Sequence, residues 1–96
     1  MLESKSMKVE WDENKADTNL RKHQISFEEA KTVFDDPLAL TLDDELHSDD
    51  ERRFVTIGES KTGRLILVCH TIGEEDVRII SARKPTQGER EDYEHG

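Results

Sequence analysis

Residues 64–84, RLILVCHTIGEEDVRIISARK, decide the fold. Two apolar runs, Arg64 to Thr71 and Val77 to Lys84, flank the polar turn Ile72 to Asp76. Each run is too short for a stable helix and rich in β-branched residues, so each reads as a strand. A five-residue turn between strands this close requires antiparallel pairing. Neither run alternates cleanly. Leu65, Leu67 and Cys69 face away from Ile66 and Val68, and Val77 and Ile79 face away from Ile80 and Ala82. Both are therefore expected to be central strands with apolar residues on both faces.

Upstream, Glu59-Ser60-Lys61-Thr62-Gly63 reads as a hairpin turn and Arg53 to Glu59 as the strand before it. Asp43 to Glu51 packs six carboxylates into nine residues and reads as a solvated loop. Leu38 to Leu42 before it is a further strand, completing an antiparallel meander. Near the N-terminus, Lys8-Val9-Glu10-Trp11 alternates as a short edge strand would. Asp12 N-caps a helix whose stripe is Ala16, Leu20 and His23, with Lys15, Asn19 and Lys22 on a neighbouring polar stripe. Gln24-Ile25 breaks it. Ser26 and Glu29 form a capping-box signature for a second helix that buries Phe27, Ala30 and Phe34 and stops at Asp35-Asp36-Pro37. Pro85-Thr86 caps a polar C-terminal helix, Gln87 to Glu94, anchored by Tyr93. The expected order is βαα-ββββ-α, an α+β fold with helices packed on a twisted antiparallel sheet.

The chain has 96 residues, 39% charged and 32% hydrophobic, with a net charge of -9. That length suits one domain, expected over 7–96, with Met1 to Ser6 as a disordered leader. No apolar run approaches a membrane span and the start lacks a secretory apolar region, so a soluble, cytoplasmic protein is expected. The charge is uneven. Residues 52–84 carry Arg52, Arg53, Lys61, Arg64, Arg78, Arg83 and Lys84 against Glu59, Glu74, Glu75 and Asp76, a local net of +3. An acidic chain with such a patch can still grip a polyanion there.

The residues narrow the chemistry. Cys69 is the one cysteine, set in the most apolar strand, where an inert buried thiol is the default. His23, His47, His70 and His95 lack metal-ligand spacing, and the acidic run lacks the alternating ligands and central glycine of a calcium loop. No metal and no cofactor is therefore expected. What remains is Arg64, Arg78, Arg83 and Lys84 on two adjacent strands. They are either ion-paired with the surplus carboxylates or a phosphate clamp.

The stretch EWDENKADTNLRKHQISFEEAKTVFDDPLAL, followed by DDERRFVTIGES, GRLILVCHT and VRIISARKPTQGEREDYE, closely resembles the BrnT family of bacterial toxins across residues 9 to 94. The most specific segments are WDENKA with NLRKH, SFEEA with FDDP, and RIISAR before the last helix. Gln24 stands where the family usually has glycine, and Pro85 where alanine is more usual. The resemblance implies a RelE-like ribonuclease fold and a type II toxin that cuts RNA and inhibits translation. It also implies silencing by a BrnA-like ribbon-helix-helix antitoxin, with DNA contacted only through that partner and no membrane.

A metal-independent ribonuclease must take a proton from the ribose 2′-hydroxyl, stabilise a crowded phosphorane and protonate the leaving oxygen. For that work the expected residues are Arg64, Arg78 and Arg83 as phosphate and transition-state clamps, with Lys15 and His70 for proton transfer. His70 is equally readable as a hydrogen-bonded histidine in the sheet. Lys22 and Lys84 are expected to bind RNA. Tyr93 either stacks a base or serves as core. The competing function is a non-catalytic module that binds a DNA-binding partner as co-repressor, its arginines being structural ion pairs.

Overall fold

The computed structural model describes residues 8–44 and 52–96. The expected leader, and Glu45 to Glu51 of the acidic run with His47, lie outside them. The elements are β1 (Lys8–Trp11), α1 (Glu13–His23), α2 (Phe27–Lys31), a 3-10 turn (Thr32–Asp35), β2 (Leu40–Asp43), β3 (Phe54–Glu59), β4 (Leu65–Ile72), β5 (Asp76–Arg83) and α3 (Gln87–His95). One five-stranded sheet has the order β1-β5-β4-β3-β2. The meander β2 to β5 is antiparallel, as expected.

Three expectations are corrected. The sheet is mixed, because β1 lies parallel to β5 with Val9 opposite Val77. The helices and three intervening strands separate β1 from its neighbour, so no tight turn sets its direction. The second helix is shorter than expected, five residues of α-helix followed by the 3-10 turn. The β2 strand begins at Leu40 rather than Leu38 and takes in Asp43, which pairs with Phe54 and binds Arg52 at 2.8 Å.

The core lies between the helices and one face of the sheet. Ile25, Phe27, Ala30 and Val33 pack on Ile66, Val68, Ile79 and Ala82, with Trp11 edge-on to Phe27. Ile79 and Ala82 are three apart and could not share a face of a regular strand. A bulge lets them do so: Cys69 faces Ser81 while the next residue, His70, faces Ile79, leaving Ile80 as the extra residue. This overturns the expected opposition of Val77 and Ile79 to Ala82. Gly58 lies where a Cβ would meet Val33 at 2.8 Å and Ala39 at 3.2 Å, so its bare Cα lets the 3-10 turn sit on β3.

The α1 stripe also differs. Leu20 is 48% exposed and His23 exposed, while Asn19, expected on the polar side, is 5% exposed. Its amide donates to the Ala82 carbonyl at 2.9 Å and the Ile25 carbonyl at 3.0 Å, and accepts from the Ala82 N–H at 3.0 Å. β1 stops opposite Ile79, so Asn19 supplies the hydrogen bonds that the next edge strand would have made.

Helix starts follow local chemistry. Asp12 accepts from Asn14 N–H, and Ser26 accepts from Glu29 N–H. The Glu29 carboxylate does not close the expected capping box. It crosses to the β3–β4 turn instead. The complete capping box is at α3, between Thr86 and Glu89.

Candidate nucleic-acid interface

The outer edge of β5 beyond Ile79 is covered by α1, and a groove of about 370 Å³ opens between them. Its wall is Asn14, Lys15, Thr18, Asn19, Lys22 and His23 from α1 with Ile80 and Ser81 from β5. Lys15 and Lys22 are seven residues apart, two helical turns, so they rise along the groove by about 10 Å. Among the described residues that line it, three are basic or imidazole and none is a carboxylate. The bulge at Ile80 and the Asn19 bonds to Ala82 set the strand side of this groove.

Lys15 also lines a neighbouring cleft of about 360 Å³ with Glu10, Trp11, Asp12, Arg78 and Ile79. Glu10 stands opposite Arg78 in the β1–β5 register. No side-chain hydrogen bond or ion pair joins Lys15, Lys22 or Arg78 to another described residue. The structure thus brings these three cations together along one edge.

It does not gather the three arginines. Leu67 pairs with Arg83, which puts Arg64 and Arg83 at the same end of the sheet, yet they turn to different helices. Arg64 binds Glu29 of α2 through Nε at 2.8 Å and Nη2 at 2.7 Å, and donates to the Gln24 carbonyl at 3.0 Å. Ser60 and Thr62 hydroxyls also donate to that carboxylate, each at 2.7 Å. The Arg64 hydrogen bonds lead in holding Glu29 down at about 2. Arg83 makes two bonds to Glu89 of α3, at 2.9 and 3.0 Å, and Glu89 is likewise held at about 2, chiefly by Arg83. Arg78 is five residues from Arg83, about 16 Å along a strand.

The remaining expected site residues are placed as follows. His70 is 1% exposed and stacked on Phe54, with Phe34 edge-on to its ring. Its Nδ1 lies 3.1 Å from the Thr71 carbonyl, which fixes the proton there, so Nε2 accepts from Thr56 at 2.7 Å. Burial lowers its pKa, favouring the neutral ring. Lys84 is exposed, and its carbonyl accepts from Arg83. Tyr93 donates to Asp36 at 2.7 Å, and that bond, with burial, pushes its hydroxyl up to about 12. It therefore fastens α3 to the segment after the 3-10 turn. Cys69 faces Ser81 across the sheet, and its thiol is pushed up, mainly by burial and next by the Asp44 carboxylate. Among the described residues no group of three or more His, Cys, Asp or Glu is arranged to hold a metal ion. No described helix is long and apolar enough to cross a membrane.

The model of a family described as the ribonuclease toxin BrnT of type II toxin-antitoxin systems matches residues 11–89. The chain belongs to the BrnT family. The 1.1 Å crystal structure of the Brucella abortus ribonuclease toxin BrnT matches with a TM-score of 0.63 and 28% identity, covering 85% of this chain and 100% of that one. No curated protein matches. Lys15, Asn19, Lys22 and His23, which line the groove, all come from WDENKA and NLRKH, two segments on which the resemblance to BrnT toxins rests. Asn19 and His23 are site-lining residues that the sequence expectations do not include. The available signal was the placement of four polar residues of one short helix within those segments.

Proposed function

We propose that this chain is a metal-independent endoribonuclease toxin of a type II toxin–antitoxin system. It acts in the cytoplasm, inhibits translation by cutting RNA, and is silenced by a BrnA-like ribbon-helix-helix antitoxin that also mediates any contact with DNA. The observation that carries this reading is the α1–β5 groove, in a chain of the BrnT family, whose lysines make no ion pair with another described residue. Lysine heads lining one groove, with Arg78 in the cleft beside it, suit the phosphates of single-stranded RNA. No carboxylate is among the residues of the α1–β5 groove wall, Glu10 and Asp12 lying in the adjoining cleft, so in this reading the chain's own cations take on charge stabilisation.

In this reading the 2′-oxygen attacks the adjacent phosphorus and the bond to O5′ breaks, leaving a 2′,3′-cyclic phosphate and a 5′-hydroxyl. Lys15, Lys22 and Arg78 bind phosphates and spread the phosphorane charge. Arg83, held by Glu89, contributes by fastening α3 to the end of β5. Arg64 contributes through the β3–β4 turn it fastens, and His70 through packing.

Expression of residues 7–96 is expected to stop bacterial growth, and an antitoxin from the neighbouring reading frame is expected to restore it. Purified, antitoxin-free protein is expected to cut RNA in excess EDTA and to leave cyclic phosphate ends. Normal growth at high soluble expression would overturn the toxin reading in favour of the co-repressor module. Activity lost in EDTA and restored by magnesium would overturn metal independence.

A further inference from the structure

We infer that His23 is the catalytic proton acceptor of the proposed cleavage, taking the ribose 2′ proton in the α1–β5 groove. The inference rests on the ribonuclease reading and assigns one residue within it. A base must lie within hydrogen-bond reach of the proton it removes and must have a free ring nitrogen. Among the described histidines, His70 fails on both counts, because it is 1% exposed with both nitrogens engaged. His95 ends α3, which packs near β3 rather than at the groove. His23 is the last residue of α1, exposed, with no side-chain hydrogen bond to any described residue, and it lines the groove beside Lys22.

The surroundings suit the role. Imidazole is the side chain adapted to carrying a proton near neutral pH. The charged groups sharing the groove with His23 are Lys15 and Lys22 of α1, while β5 contributes the neutral Ile80 and Ser81. A phosphate held by the lysines brings its adjoining ribose to the same wall. There the imidazole nitrogen takes the 2′ proton as O2′ bonds to phosphorus. The electron pair of the P–O5′ bond leaves with O5′, which takes a proton from water. The hydroxide so formed removes the proton from the imidazolium, so protons and charge balance over the cycle.

The test compares full-length wild type, His23→Gln and His23→Ala on a mixed-sequence messenger, both free and on purified ribosomes, across a pH series. His95→Gln serves as the control for losing an exposed histidine, and circular dichroism confirms folding. Both His23 variants are expected to lose about 100-fold or more in kcat. They should also lose the acid limb of the pH profile while binding RNA within about twofold of wild type. Wild-type cleavage together with His23 variants that retain kcat and the acid limb would overturn this assignment and leave the ribonuclease reading standing. If wild type cuts neither form of the messenger, the ribonuclease reading fails and the assignment fails with it.

Discussion

Asn19 does at the residue scale what a longer β1 would have done for the sheet. It satisfies the Ala82 N–H and carbonyl and the Ile25 carbonyl, all in a region closed to solvent. Asn19→Ala would leave a buried donor and two acceptors without partners, a cost of about 2–4 kcal/mol. A urea unfolding series would read this as a lower midpoint at unchanged slope, and a midpoint equal to wild type would refute the strand-substitute role. Gln24 makes the opposite prediction. It has φ 57° and ψ 35°, the left-handed conformation that caps α1, and its backbone N–H bonds to the Leu20 carbonyl. This conformation explains why the family usually has glycine there. Gln24→Gly should raise stability by about 0.5–1 kcal/mol, although the side-chain bond to the Arg21 carbonyl is lost. A measured decrease would show that the bond outweighs the strain.

At the scale of elements, the β3–β4 turn and the start of α2 are one unit. The Glu29 carboxylate accepts from Arg64, Ser60 and Thr62, and the Thr32 hydroxyl accepts from the Lys61 N–H. Arg64→Ala and Glu29→Ala should each destabilise, with a coupling of about 1 kcal/mol in the double-mutant cycle, because the Arg64 side chain remains 42% exposed and solvent screens the pair. Additive single effects would detach Arg64 from this unit and return it to the phosphate-binding candidates. The local signature Ser26…Glu29 correctly marked the helix start. What the carboxylate bound instead lies 31 to 35 residues away, beyond anything a capping motif encodes.

For the whole molecule, a net charge of -9 has to coexist with a polyanion site. Carboxylates neutralise Arg64, Arg83 and Arg52 locally, while Lys15, Lys22 and Arg78 make no ion pair with another described residue. Single-stranded RNA held by three such contacts should show a log–log salt slope of about -2. Lys22→Ala or Arg78→Ala should each reduce that slope by about 0.7, whereas Arg52→Ala should leave it unchanged. Equal slopes in all three variants, measured by fluorescence anisotropy over a salt series, would place RNA elsewhere on the surface.

The sequence by itself determined the elements of the meander, the turns between them and the helix starts at Asp12, Ser26 and Thr86. Those features depend on neighbours within a few residues: alternation, capping oxygens and a glycine at Gly63 with φ 90°. Tertiary structure alone decided that β1 runs parallel to β5, that Ile80 bulges, and that Asn19 rather than Leu20 faces inward. It also decided which basic residues pair with a described carboxylate. Asn19 and Ala82 are 63 residues apart, and Arg64 and Glu29 are 35 apart. Side-chain type shows that an arginine can bind a carboxylate or a phosphate, but only the packing of α2, α3 and the sheet brings a particular carboxylate within reach.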